Sequence, residues 1–89
     1  MKLKEKTISV IGLGYVGLPL AIQLEKKYDV IGYDLNEKRV SELNNNYDRT
    51  NEISENTLKN IRRLNISSSE IEIKNSNIYI VTVPTPIDK

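Results

Sequence analysis

Residues 7 to 17 read Thr-Ile-Ser-Val-Ile-Gly-Leu-Gly-Tyr-Val-Gly, an apolar β-type run that enters Gly12-x-Gly14-x-x-Gly17 without a break. Few backbone paths suit such a stretch. Gly12 permits a tight turn where the strand ends, Gly14 presents bare backbone, and Gly17 lets the following helix pack against a sheet. A helix starting there points unpaired N–H groups and its positive dipole end back at the turn, which is the seat a dinucleotide pyrophosphate requires. Three glycines alone are weak evidence, so the flanking elements must agree.

They do. From Tyr15 to about Lys27 the spacing predicts a helix with Gly17, Leu20, Ala21 and Leu24 on one face. Pro19 falls at the edge of the first turn, where a missing N–H is tolerated. A second β run follows, Asp29-Val-Ile-Gly-Tyr33, ending on Asp34. Asp34 lies 22 positions after Gly12 and 17 after Gly17, close to the roughly 20-residue offset of a ribose-binding acid. Its carboxylate can accept hydrogen bonds from the adenosine ribose hydroxyls and would repel a 2′-phosphate, which favours NAD over NADP. A turn residue at a strand end is the plain alternative for Asp34; the glycines favour the ribose role.

Eighty-nine residues with a formal charge of +1 make one small domain or part of a larger one. No basic stripe appears, so nucleic acid is not expected as a partner. Lys26-Lys27 and Arg62-Arg63 are isolated pairs near predicted helix ends. With no Cys and no His, the chain carries no structural zinc site, disulfide, thiol chemistry or histidine acid–base catalysis of its own. No metal site and no catalytic residue are therefore expected. The basic start, Met1-Lys-Leu-Lys-Glu-Lys6, followed by an apolar run has the outline of a signal peptide. The glycine spacing already explains that run, and no small-residue cleavage site precedes Glu25-Lys26-Lys27. No stretch is apolar enough for long enough to span a membrane, so a cytoplasmic location without a membrane partner is the default expectation.

Asn36 can cap a helix from Glu37 to about Asn44, with Leu35 and Val40 as a hydrophobic staple and Val40 and Leu43 on a narrow apolar face. Asn44-Asn45-Asn46 ends it, and residues 45 to 53 read as a loop. Ser54 caps a further helix with Ile53 and Leu58 in staple positions and Leu58, Ile61 and Leu64 facing inward. Ile66-Ser67 reads as a brief strand. The segment around Ile71 and Ile73 fits either a helical turn or a strand. Residues 77 to 83, Asn-Ile-Tyr-Ile-Val-Thr-Val, form a nearly continuous β-branched and aromatic run, typical of a strand covered on both faces. Pro84-Thr85-Pro86 stops it. This order predicts an α/β chain, the first half of a Rossmann doubly wound parallel sheet with strand order 3-2-1-4. The last strand then opens onto the crevice of the glycine turn, bringing Val83, Pro84 and Thr85 near the cofactor.

Taken together, Gly12-Leu-Gly-Tyr-Val-Gly-Leu-Pro19, the Asp34 strand end and Val81-Thr-Val-Pro-Thr-Pro86 resemble the N-terminal NAD-binding domain of the UDP-glucose/GDP-mannose dehydrogenase family, over essentially the whole chain from Thr7 to Asp88. Tyr47-Asp-Arg-Thr-Asn-Glu-Ile-Ser54 and Pro84-Thr-Pro-Ile-Asp88 are most similar to the branch that oxidises UDP-N-acetylhexosamines, including Vi-antigen-type enzymes. The resemblance implies that the turn Gly12, Leu13, Gly14, Tyr15, Val16 and Gly17 holds the pyrophosphate, with Tyr15 and Val16 donating N–H groups. It further implies that Asp34 holds the ribose, that Arg39 lies against the adenine or its ribose, and that Thr85 approaches the cofactor. On the residues alone, Arg39 reads equally as a helix-surface charge and Thr85 as a turn residue. Tyr33 and Tyr79 read as packing on the sheet, and Asp48, Arg49 and Glu52 as solvated charge.

The implied reaction converts a UDP-sugar C6 alcohol to a uronate by two NAD-dependent oxidations, for polysaccharide precursor synthesis. The second passes through a thiohemiacetal and a thioester on a cysteine, which this chain lacks. Residues 1–89 are accordingly expected to be a single partial dinucleotide-binding domain, a fragment without catalytic and substrate domains that does not turn over alone and meets a UDP-sugar only within a full-length parent. Two other readings stand beside this one. One is a stand-alone nucleotide-sensing Rossmann module without catalysis. The other is a chain that merely self-associates through the exposed sheet edge at residues 77 to 83.

Overall fold

The structure is a computed structural model and describes residues 6–82. Its first strand, β1 (Thr7–Ile11), is followed by α1 (Gly17–Leu24) and β2 (Asp29–Tyr33). Next come α2 (Glu37–Asn44), α3 (Glu55–Lys59), β3 (Leu64–Ser67), a 3₁₀ turn (Glu70–Ile73) and β4 (Ile78–Val81). All strands pair in parallel in the order β3-β2-β1-β4, as the alternation of apolar runs and helical segments predicts. β1 sits inside the sheet with Val10 opposite Gly32 of β2 on one side and Ile80 of β4 on the other. Ile8, Ser9 and Val10 are all buried, so both faces of β1 are covered, as a central parallel strand requires. The chain departs from β1 towards β2 and β3, then returns to add β4 on the opposite side. That reversal puts the switch point of the sheet at the C-terminal ends of β1 and β4.

The capping residues behave as read. Asn36 Oδ1 accepts the N–H groups of Lys38 and Arg39, and Ser54 Oγ accepts that of Thr57. Ile53 packs against the core that contains Leu58. The other staple does not form: Leu35 is 77% exposed, because Asp34 Oδ1 accepts the Asn36 N–H and the resulting turn leaves Leu35 outside. The helix expected over residues 15 to 27 is shorter at both ends. Tyr15 and Val16 stay in the glycine turn, and Lys26 and Lys27 bond back only three residues, to Gln23 and Leu24, the tightening common at a helix end.

Other expectations are corrected further along. Leu64 is not the inner face of a helix; it opens β3 opposite Val30, after α3 has ended at Lys59. The ambiguous segment at Ile71 and Ile73 is a 3₁₀ turn with no buried residue. β4 was expected to be covered on both faces, yet Ile78, Tyr79 and Val81 are exposed. The physical reason is its place in the sheet: α1 lies over β1 and β2 and α2 over β3, while β4 is the outermost strand among the described residues.

Candidate nucleotide-binding site

The glycine turn is built from three positions with three different demands. Gly12 has φ +101°, a left-handed conformation that side chains resist, and a Cβ there would lie 2.5 Å from the Thr82 carbonyl oxygen. At Gly17 the Cβ would fall 1.7 Å from the Gly12 carbonyl oxygen. The close approach that excludes a side chain is thus helix against turn, more than helix against sheet. Thr82 locks the arrangement: its N–H donates to Ile11 O and its hydroxyl approaches the carbonyls of Ile11 and Gly12 at 3.1 and 2.9 Å. Gly14 differs from both. A Cβ there would meet nothing within 4 Å, so its missing side chain keeps open a space that no described residue fills.

That space faces the start of α1. The N–H groups of Gly14, Tyr15 and Val16 make no hydrogen bond among the described residues, and all three residues are exposed. α1 has no side-chain cap and no acid in its first turn, whereas α2 and α3 each have both. Among the described residues its positive end therefore has neither a side-chain cap nor an acid of its own helix. Asp34, at the end of β2, reaches across to this turn: Oδ2 accepts the Leu13 N–H at 2.9 Å and Oδ1 the Asn36 N–H at 2.9 Å. Each carboxylate oxygen retains a further lone pair for an incoming hydroxyl. Leu13 itself is fully buried, which anchors the turn to the core.

Arg39 is not a helix-surface charge. Its side chain is 7% exposed; Nε donates to the Leu13 carbonyl at 2.8 Å and Nη1 to Asp48 Oδ1 at 2.7 Å. Nη2 is buried without a partner among the described residues. Nor is Asp48 solvated. It accepts hydrogen bonds from Arg39, from the Thr50 N–H and hydroxyl, and from the Glu52 and Ile53 N–H groups. Burial pushes this carboxyl up, but the hydrogen bonds from Arg39, Thr50 and Ile53 outweigh it and hold the carboxyl down at about 2. The reading of residues 45 to 53 as a polar loop missed this hub. The local signal was Asp48-x-Thr50, the spacing of an Asx turn. Arg49 stays partly exposed and pairs with Glu42 through Nε and Nη2, at 2.8 and 2.7 Å, holding the Glu42 carboxyl below its ordinary range.

Leu13, Gly14, Asp34, Asn36, Arg39, Arg49 and Thr50 line one open pocket of about 210 Å³. Of the residues expected to meet a cofactor, the structure brings together Leu13, Gly14, Asp34 and Arg39 there, with Gly12, Tyr15, Val16 and Gly17 completing the adjoining turn. Val83, Pro84 and Thr85 lie outside the described residues. Tyr33 packs into the sheet as expected, being 7% exposed. Tyr79 remains half-exposed and donates its hydroxyl to the carbonyls of Ile73 and Lys74. The residues fit a dinucleotide: bare backbone and a free helix end suit a diphosphate, Asp34 suits a ribose, and the unpaired Arg39 Nη2 lacks an acceptor.

This fold and this site define a dinucleotide-binding Rossmann module. The family described as "UDP-glucose/GDP-mannose dehydrogenase family, NAD binding domain" matches residues 6–89, and the chain belongs to that family. It is 52% identical over 84 residues to Protein CapL of Staphylococcus aureus and 49% identical over 84 residues to the UDP-N-acetyl-D-glucosamine 6-dehydrogenase of Salmonella typhi. Each alignment covers 94% of this chain and 20% of the relative, so the chain spans about a fifth of the length of these proteins. The solved UDP-D-ManNAc dehydrogenase of Pyrococcus horikoshii superposes with a TM-score of 0.83 at 33% identity, over 92% of this chain and 21% of that one.

Proposed function

We propose that this chain is the NAD-binding part of a nucleotide-sugar 6-dehydrogenase acting on a UDP-N-acetylhexosamine, a cytoplasmic enzyme that supplies uronate precursors for polysaccharide. Bound NAD⁺ would supply the hydride acceptor for oxidation of the sugar carbinol. The chain's own residues bind and orient it. The N–H groups at Tyr15 and Val16 and the free end of α1 hold the diphosphate, Asp34 accepts the adenosine ribose hydroxyls, and Arg39 donates Nη2 towards the adenosine end. Val83, Pro84 and Thr85, which follow β4 in the sequence, are expected to contact the cofactor. Residues 1–89 contain no cysteine, so the thiol and sugar-binding groups belong to other parts of the protein, and these residues make up a single partial domain.

The observation that carries this reading is the contrast between Gly12 and Gly17, where protein atoms exclude a Cβ, and Gly14, where a Cβ would meet no described atom within 4 Å. NMR titration of the chain with NAD tests it. Shifts concentrated at the Gly12–Gly17 turn and Asp34 are expected, and shifts confined elsewhere would refute the assignment. A reading frame continuing past Lys89 into a cysteine-bearing segment is expected for the dehydrogenase; a frame ending without one favours a binding module. The free edge of β4 and its exposed Ile78, Tyr79 and Val81 also support self-association of the isolated chain.

A further inference from the structure

The pocket beside the glycine turn is lined by two arginines and one acid, yet its charge balance is the reverse of what that count suggests. Arg39 is ion-paired to Asp48 and Arg49 to Glu42. Neither carboxylate lines the pocket. Asp34 does line it, and among the described residues it has no ion-pair partner. Each cation facing the site is thus answered from behind, and the anion is left unanswered.

This matters because the two common solutions to the adenosine 2′ position differ in charge alone: an acid for a free hydroxyl, a nearby arginine for a 2′-phosphate. A site holding Asp34, Arg39 and Arg49 contains the parts of both. We propose that Asp48 and Glu42 are specificity-determining residues that keep this pocket selective for a dinucleotide with a free 2′-hydroxyl, by neutralising and orienting the two arginines that would otherwise serve a 2′-phosphate. The inference rests on the nucleotide-site reading and deepens it.

The geometry separates the two pairs. Asp48 is enclosed, and its Oδ1 holds Nη1 while the Leu13 carbonyl holds Nε. The Arg39 fork is therefore pinned on two sides, and Nη2 is the nitrogen left with no partner among the described residues. Arg49 and Glu42 meet as parallel bonds at the surface, where solvent and salt weaken the pairing. Loss of Asp48 should accordingly change selectivity more than loss of Glu42.

Titrations of the full chain with NAD, with NADP and with ADP-ribose as a control, read by heteronuclear NMR near neutral pH, test this. The wild-type chain is expected to prefer NAD. Asp48→Asn should narrow the NAD-over-NADP ratio on the order of tenfold. Glu42→Gln should narrow it about two- to threefold, with the difference fading as salt is raised. In both variants the guanidinium resonances of the arginine that has lost its acid should move further with NADP than with NAD. A purely structural role would weaken both dinucleotides alike, so an unchanged ratio in a folded Asp48→Asn chain overturns the proposal. Should that variant fail to fold, Glu42→Gln decides, since its site is at the surface, and an unchanged ratio there is equally fatal. If the wild-type turn responds to neither dinucleotide nor ADP-ribose, the nucleotide site itself is wrong, and the proposal falls with it.

Discussion

Gly14 and Gly17 are three positions apart in one motif, but they answer to different parts of the free energy. The Gly17 Cβ has no room, since the 1.7 Å overlap is with backbone of the turn. Gly17→Ala is expected to lower stability by about 2–3 kcal/mol or more, because the helix must move off the turn; urea unfolding measures it. The Gly14 Cβ enters empty space, so Gly14→Val should change stability by less than about 1 kcal/mol while abolishing the NAD-induced NMR shifts. A Gly14→Val chain that unfolds, or that binds NAD normally, contradicts the assigned role. Both glycines were legible in the sequence through their spacing. Their division of labour was not, since it depends on where the Gly12 carbonyl lies after the turn has closed.

At the scale of elements, the loop between α2 and α3 is held by one carboxylate. Asp48 gathers Arg39 from α2, Thr50 from the loop, and the Glu52 and Ile53 N–H groups just before α3. Its folded-state pKa lies near 2, below its ordinary value of 3.8. Stabilisation from this group is therefore fully present above about pH 5 and is lost as pH falls through 4 towards 2, a loss of about 2 kcal/mol. Denaturation midpoints across that window should fall for the wild-type chain and fall less steeply for Asp48→Asn. Equal slopes would mean the ionised carboxylate does not hold the loop. The asparagines that cap and end α2 were legible because they act within a few residues. Asp48 was not, because its ion-pair partner sits on the preceding helix and its burial depends on the loop folding back over the turn.

At the scale of the whole molecule, β4 is an edge strand among the described residues, with Ile78, Tyr79 and Val81 exposed. Edges of this kind pair with other strands. Sedimentation is expected to show concentration-dependent self-association of the isolated chain, reduced by Val81→Lys, which puts a charge on a residue that is 66% exposed. A concentration-independent monomer would count against it. The same strand helps position the site. By crossing back to pair with β1 it brings Thr82 under the glycine turn, where the hydroxyl holds the Ile11 and Gly12 carbonyls.

The amino-acid order by itself determined the alternation of strands and helices, the 3-2-1-4 sheet, the glycine turn and the acid that follows it. Those signals are local periodicities and short spacings, and parallel crossovers leave few ways to assemble them. Only the tertiary structure decided that Arg39 is buried, that Asp48 rather than solvent answers its charge, and that Asp34 lines the pocket without an ion pair to any described residue. Charge pairing between distant residues depends on distances of a few ångströms, and these exist only once the sheet, the turn and the loop have packed together.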